Sequence, residues 1–321
     1  MITKQVRRIR GAAVIAAVCA VLAACGGGAS SGGSGAGLSG PVVIDGSSTV
    51  APLSSAAGEL FQAENPGVNV TVGTSGTGGG FQKFCNGETD ISDASRPIKD
   101  QERAACQSKN ITFEELQVAN DALTVVVNKQ NTWANCLTVQ QLKAIWDPSS
   151  QVKTWNQVDP SFPNEPLKLF GPGADSGTFD YFTEVINGKA GSSRTDYSPS
   201  ENDNVIVQGV EGSKGAMGYF GFTYFEENQS RLKAIQINNG AGCVAPSAQA
   251  VQNGSYTPLA RPLLIYVSDA ALKKPQVVAF TEFYLAQNDK IVNAAKFVPM
   301  TPEQKQKATD ALAALKRKAG A

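Results

Sequence analysis

One segment of the chain decides the fold class, and it reads Leu167-Lys168-Leu169-Phe170-Gly171-Pro172-Gly173-Ala174-Asp175-Ser176-Gly177-Thr178-Phe179. A short apolar run leads through a glycine-rich turn into a helical pattern, which predicts a strand, a turn and a helix in that order. Ser176, Gly177 and Thr178 then fall at a helix N-terminus. Unpaired backbone N–H groups and a partial positive charge favour an anion there.

Three other segments combine glycine or hydroxyl residues with a following helical pattern. They are Asp45–Val50, Thr74–Phe81 and Asp90–Pro97. A lone serine or threonine before a helix is ordinarily only an N-cap. Four such turns in one chain are a stronger signal if all lie at the carboxyl ends of strands, as we expect, because ligands of open α/β sheets bind there. We therefore predict an anion site where the four turns meet.

Short runs rich in valine and isoleucine alternate with helical patterns along the rest of the chain. The predicted strands are Val42–Asp45, Val68–Gly73, Leu123–Asn128, Leu167–Phe170, Ala216–Phe220, Leu232–Ile237 and Leu263–Val267. The predicted helices begin near Val50, Gly80, Pro97, Thr138, Gly177, Asn202, Pro275 and Thr301. Capping-box spacing supports the helices that begin after Thr138 and Thr301. This alternation predicts an α/β fold with mostly parallel strands.

The composition favours binding over catalysis. The 321 residues include no histidine, which excludes Ser-His-Asp and Cys-His catalytic groups and removes a common zinc ligand. We therefore expect no enzyme activity, no metal and no cofactor. Beyond residue 24 the chain holds 24 basic and 28 acidic residues. This mildly acidic balance argues against nucleic-acid binding, which needs clustered lysine and arginine.

The four turns resemble the ligand-binding loops of the phosphate-binding subunit of high-affinity phosphate ABC transporters. The resemblance rests on Gly46–Val50, Gly76–Phe81, Asp93–Ile98 and Gly171–Phe182, with support from Ile145–Asp147 and Thr154–Asn156. It extends from about Pro41 to the C-terminus. It implies a two-lobed periplasmic-binding-protein-like fold of type II, with the ligand cleft between the lobes. Lobe 1 is expected at residues 41–120 plus 256–321, and lobe 2 at residues 121–255.

The resemblance also implies which residues contact the ligand. The positions that match the family's binding loops are Ser48, Thr49, Thr77, Ser95, Ser176, Gly177 and Thr178. Family members use a carboxylate to accept the phosphate proton, and both Asp93 and Asp175 fit that role. Well-known members carry an arginine shortly before the segment that matches Ser176, where this chain has Pro172 or Gly173. We therefore predict that Arg96 supplies the cation, with Lys83 and Lys99 as alternatives.

Six cysteines are present, and four of them lie within the predicted folded region. An even number outside the cytoplasm suggests disulfides, and four cysteines allow three pairings. We predict Cys85–Cys106 and Cys136–Cys243, because each pair then lies within one predicted lobe. Four free buried thiols are the alternative.

The N-terminal residues have the pattern of an export signal. Basic residues precede an apolar run from Gly11 to Ala24, which is too short to span a bilayer as a helix and fits a signal peptide. The run ends at Leu22-Ala23-Ala24-Cys25, which resembles a bacterial lipobox. We predict a lipoprotein signal peptide at residues 1–24 and a lipidated flexible linker at residues 25–40, with the lipid on Cys25.

These predictions describe an extracytoplasmic, lipid-anchored protein that binds inorganic phosphate. It would deliver phosphate to the permease subunits of an ABC transporter, on the outer face of the cell membrane or in the periplasm. The alternatives are a binding protein for sulfate or molybdate, or for an organic phosphate. Phosphate carries a proton at neutral pH and can donate it to a carboxylate, whereas sulfate cannot. An inward carboxylate would therefore favour phosphate.

Overall fold

The computed structural model describes residues 37–320, in which strands and helices alternate. The strands are β1 (Gly40–Gly46), β2 (Val68–Gly73), β3 (Ile91–Ala94), β4 (Phe113–Asn128), β5 (Cys136–Thr138), β6 (Lys168–Gly171), β7 (Ser198–Pro199), β8 (Ala216–Gly221), β9 (Leu232–Ala234), β10 (Gln236–Asn238), β11 (Cys243–Val244) and β12 (Ala260–Ser268). The helices are α1 (Ala51–Glu64), α2 (Gly76–Cys85), α3 (Asp100–Ser108), α4 (Val139–Trp146), α5 (Gly177–Asn187), α6 (Asp203–Glu211), α7 (Phe222–Glu227), α8 (Ala248–Gln252), α9 (Pro275–Ala286), α10 (Asn288–Ala294) and α11 (Pro302–Ala319).

Within the described part of the chain, nine strands form one sheet in the order β2-β1-β3-β12-β4-β8-β6-β7, with β9 paired to β4. The first three strands of that order are parallel. Their carboxyl ends therefore lie at one edge, and each leads into one of the predicted turns. A separate small sheet has the order β11-β10-β5.

The prediction of mostly parallel strands is wrong. β12 is antiparallel to both β3 and β4, and β4 is antiparallel to β8 and β9. Both central strands are rich in apolar residues, and such runs look alike in parallel and antiparallel strands that are covered on both faces. The sheet is therefore mixed.

Strand β4 connects the two halves of the molecule. Its first part pairs with β12, and its last part, from Leu123 onward, pairs with β8. One large buried core draws its residues from 42–119 and 263–315, whereas another draws them from 122–259 together with Val298. The chain passes from the first core to the second near residue 120 and returns to the first near residue 260. This is the two-lobed arrangement expected of a periplasmic-binding-protein-like fold.

The predicted third turn begins too early. Ile91, Ser92, Asp93 and Ala94 form β3, and all four residues are buried. The strand lies between β1 and β12 in the sheet, which leaves its two polar side chains in the interior. The turn itself occupies the residues from Ser95 onward, and α3 begins at Asp100 rather than near Pro97.

Local signals at other element ends are confirmed. Thr138 and Thr301 each accept a hydrogen bond from the backbone N–H three residues later, and both capping boxes are closed. The two predicted disulfides, Cys85–Cys106 and Cys136–Cys243, are both present. The first joins the end of α2 to α3, and the second joins β5 to β11. No helix within residues 37–320 has the length and apolar character needed to cross a membrane.

Candidate functional site

The turns after β1, β2, β3 and β6 meet around one cavity of about 250 Å³. Six of the predicted binding residues line it: Ser48, Thr49, Thr77, Ser95, Arg96 and Gly177. Lys99, Asp180, Tyr181, Glu184 and Arg261 complete much of the wall. The structure therefore brings together side chains that lie far apart in the sequence.

The first turn is fixed from behind by β3. The Ser47 backbone N–H donates to the Asp93 carbonyl at 2.8 Å. Gly46 has a φ of 148°, and a Cβ at this position would lie 2.1 Å from that same carbonyl oxygen. Only glycine fits here. The close approach lets the chain turn over the end of the sheet and directs Ser48 and Thr49 toward the cavity.

The second turn is held by a buried carboxylate. Asp45 accepts from the Ser75 backbone N–H at 3.2 Å and from Lys83 Nζ at 2.6 Å. Burial alone would raise the pKa of Asp45, but the hydrogen bonds from Lys83 and Ser75 outweigh it and hold the pKa below its ordinary value. Lys83 is therefore committed to Asp45 and is absent from the cavity wall.

The second and third turns are joined directly. The Ser95 backbone N–H donates to Thr77 Oγ1 at 3.2 Å, and the two hydroxyl oxygens are also 3.2 Å apart. Both hydroxyl groups line the cavity. Each hydroxyl retains capacity for a further hydrogen bond, because it has one donor and two acceptor positions.

The fourth turn approaches the first across the cavity. Ser176 is the N-cap of α5 and accepts from the Thr178 backbone N–H at 3.2 Å. A Cβ at Gly177 would lie 2.6 Å from Thr49 Oγ1. Glycine therefore permits close contact between the turns. Thr178 lines a neighbouring cavity of about 250 Å³, which shares Ser48, Thr49 and Gly177 with the first.

The two candidate carboxylates have opposite environments. Asp93 is fully buried beneath the first turn and accepts from Ser54 Oγ at 2.8 Å through Oδ1, whereas its Oδ2 has no hydrogen-bond partner among residues 37–320. Burial raises the pKa of Asp93 to about 8, and the nearby charge of Asp45 adds to the effect, although the Ser54 bond opposes it. Asp175 is exposed, and neither Asp93 nor Asp175 lines either of the two cavities.

Two arginines line the cavity and are held differently. Arg96 forms a two-pronged ion pair with Glu102, with N···O distances of 2.7 and 2.8 Å. Arg261, near the start of β12, donates Nε–H to Asp121 at 3.1 Å and Nη2–H to Thr49 Oγ1 at 3.0 Å. Its guanidinium also lies 3.6 Å from the centre of the Tyr181 ring.

Sequence reasoning missed Arg261. The residue belongs to no turn motif; it is the second residue of β12 and stands two positions before the predicted strand Leu263–Val267. Its partners Thr49, Asp121 and Tyr181 are distant in sequence, so no local pattern identifies it. Among residues 37–320 there is no group of three or more side chains arranged to hold a metal ion.

Comparisons with known proteins match this architecture. A PBP superfamily domain matches residues 30–288. The chain is 53% identical to the protein SphX of Synechococcus elongatus over 262 residues, which are 81% of this chain and 77% of the relative. It is 40% identical to the phosphate-binding protein PstS of Staphylococcus saprophyticus over 284 residues, covering 87% and 86% of the two chains.

A solved structure agrees with the same assignment. The crystal structure of a possible phosphate-binding protein from Planctomyces limnophilus superposes with a TM-score of 0.84 at 49% identity, covering 87% of this chain and 99% of that one. The chain thus has the two-lobed fold of the PBP superfamily. Within that superfamily, it belongs to the family of the PstS phosphate-binding proteins.

Proposed function

We propose that the protein binds inorganic phosphate outside the cytoplasm and delivers it to an ABC transporter. The observation that carries this proposal is the cavity where five serine and threonine residues and two guanidinium groups converge. Hydroxyl groups, backbone N–H groups and arginines are the donors that a phosphate oxygen accepts from. The names of the PstS relatives and of the Planctomyces limnophilus structure point to the same ligand.

The proposed ligand contacts follow the predicted residues with one distinction. Ser48, Thr49, Thr77, Ser95, Arg96 and Gly177 line the cavity and are proposed as direct contacts. Ser176 and Thr178 form the N-terminus of α5 and are proposed to position its backbone N–H groups. Asp93 is proposed as the carboxylate that accepts the phosphate proton, because it is buried beside the first turn whereas Asp175 faces solvent. Since burial raises the pKa of Asp93 to about 8, its own proton must leave when phosphate binds near neutral pH.

Binding is proposed to close a hinge between the lobes. The change of buried core near residue 120 supports the predicted boundary between 120 and 121. Tyr256 and Leu259 pack in the second core, which favours a second crossing nearer 260 than 256. Closure would present a different surface to the permease subunits. We propose no catalysis, since the chain lacks histidine and the family is one of solute-binding proteins.

The proposed lipid anchor depends on sequence alone. Cys25, the signal peptide at 1–24 and most of the linker lie outside the described residues. Mass spectrometry of the processed protein is expected to find a lipid on Cys25, and Cys25→Ser is expected to release the protein from the membrane fraction or to block processing. An unmodified mature N-terminus at another residue would contradict the anchor without affecting phosphate binding.

The phosphate proposal is tested by ligand-dependent thermal unfolding. Phosphate at about 100 times its dissociation constant should stabilise the protein by about 2.7 kcal/mol, because it binds only the folded state. Molybdate and glycerol phosphate, at matched concentrations and ionic strength, distinguish the other oxyanions and the organic phosphates. A larger rise in melting temperature with molybdate or with glycerol phosphate than with inorganic phosphate would show that inorganic phosphate is not the preferred ligand.

A further inference from the structure

Arg261 is an arginine whose side chain is only 8% exposed, yet it faces the ligand cavity. A buried guanidinium is costly unless its charge and N–H groups are partnered. Asp121 supplies the opposite charge through a single contact with Nε, and Tyr181 covers one face of the guanidinium. The side chain is therefore held in one place before any ligand arrives.

The guanidinium keeps unused donors. An arginine has five N–H groups, and only two of those of Arg261 donate to other residues within 37–320. Three remain for a ligand. Because the guanidinium is one wall of the cavity, these donors are available to an oxyanion bound among the hydroxyl groups. A planar guanidinium suits the paired oxygens of such an anion.

Arg96 has fewer donors to offer. Nη1 donates to Glu102 and to the Pro97 carbonyl, and Nη2 donates to the other oxygen of Glu102. Glu102 also caps α3, where it accepts from the Lys99 backbone N–H at 2.8 Å. A ligand that recruited Arg96 would have to compete with this two-pronged pair. The Arg96 side chain is also 25% exposed, so solvent screens its charge more than that of Arg261.

We propose that Arg261 is the principal cation of the oxyanion site and that Arg96 has a secondary role at its wall. This inference rests on the proposed function and names the residue that carries most of the charge recognition. Arg261 also contacts the first turn through Thr49, the strand β4 through Asp121, and the helix α5 through Tyr181. An anion held by Arg261 is thus linked to elements from both cores.

Three variants and one control test the assignment by calorimetric titration with inorganic phosphate. Arg261→Lys keeps the charge opposite Asp121 but loses the planar donors, and should weaken phosphate binding by roughly tenfold. The double variant Arg261→Gln with Asp121→Asn removes both charges together, so that no lone buried carboxylate remains. It should weaken binding by roughly 100-fold.

Arg96→Gln is the comparison that ranks the two arginines, and it should weaken binding by about threefold. Arg103→Gln is the matched control, because Arg103 is exposed, lies over Phe113 and lines neither cavity of the cleft. It should bind phosphate as the unaltered protein does. Thermal unfolding without phosphate establishes that each variant is folded, and Arg261→Lys decides the question if the double variant does not fold.

The possible results separate the two proposals. Failure of the unaltered protein to bind phosphate would overturn the proposed function. Normal phosphate binding by the unaltered protein and by folded Arg261→Lys, with a large loss only in Arg96→Gln, would overturn the present inference while leaving the function intact. Losses in the order double variant, Arg261→Lys, Arg96→Gln would support it.

Discussion

The third and fourth turns look alike in sequence but differ in their surroundings. Each has an aspartate shortly before a serine and a predicted helix. β3, which leads into the third turn, is a central strand, and Asp93 is fully buried there. β6 stands one strand from the sheet edge, beside the two-residue β7, and Asp175 after it is exposed. The position of a strand within the sheet, rather than the sequence motif at its end, therefore determines whether the nearby aspartate is buried.

Loss of a disulfide is expected to change the stability of the protein more than any other substitution considered below. In the chain-entropy description, bridges across sequence separations of 107 and 21 residues stabilise by about 5 and about 3 kcal/mol. We expect paired alanine replacements of Cys136/Cys243 and Cys85/Cys106 to reduce the free energy of unfolding in that order. Urea denaturation under non-reducing conditions measures both.

The same two variants should differ in the opposite order for ligand binding. The Cys85–Cys106 bridge joins the helices on either side of the third turn, whereas Cys136–Cys243 lies in the small separate sheet. Phosphate affinity should therefore fall only when Cys85 and Cys106 are replaced. Equal affinities in the two folded variants would show that the third turn does not depend on its neighbouring bridge.

The buried carboxyl of Asp93 should make the stability of the protein depend on pH. The pKa of Asp93 is raised to about 8, so the folded protein keeps a proton that the unfolded chain releases above about pH 4. The contribution of this bound proton to the free energy of unfolding has its full value below about pH 4 and decreases as the pH rises toward 8. The loss should reach about 1.4 kcal/mol per pH unit within this window.

Asp93→Asn should remove that component of the pH dependence, because the amide does not titrate. Asp175→Asn is the matched control and should follow the unaltered protein, since its carboxylate is exposed. Urea unfolding between pH 4 and 8 makes the measurement. Parallel pH profiles for Asp93→Asn and the unaltered protein would mean that Asp93 is already ionised in the fold.

The glycines of the fourth turn provide the smallest effect. A Cβ at Gly177 would approach Thr49 Oγ1 to 2.6 Å, which would push the first and fourth turns apart. Gly177→Ala should weaken phosphate binding by about tenfold, or 1.4 kcal/mol. Gly173→Ala is the control, because the nearest atoms to its Cβ would be those at the far end of the exposed Glu201 side chain rather than any atom of the first turn. Similar losses in both variants would argue against a specific contact at Gly177.

Much of the fold was predictable because its signals are local. The strand before Gly171, the cap at Ser176 and the capping box at Thr138 depend on residues close together in sequence. Even the disulfide pairing followed from the expected lobes. β3 escaped prediction because Ser92 and Asp93 are polar, and only their position between two strands makes them buried.

The candidate site was predictable only where glycine and hydroxyl residues mark a turn. Arg261 has no such mark, since its role depends on partners brought close by the mixed sheet. The ion pair between Arg96 and Glu102 was equally hidden, because the five residues between them carry no sequence pattern that predicts it. Charge pairing across a fold is a tertiary property that residue types and spacing do not specify.

The most direct test of the account compares the affinities of the unaltered protein for phosphate and sulfate by calorimetry at neutral pH. The two anions have similar shapes, but only phosphate carries a proton that a carboxylate can accept. We predict that phosphate binds at least about tenfold more tightly than sulfate, a difference of about 1.4 kcal/mol. Asp93→Asn should reduce this ratio, whereas Asp175→Asn should preserve it. Equal binding of phosphate and sulfate by the unaltered protein would contradict the account.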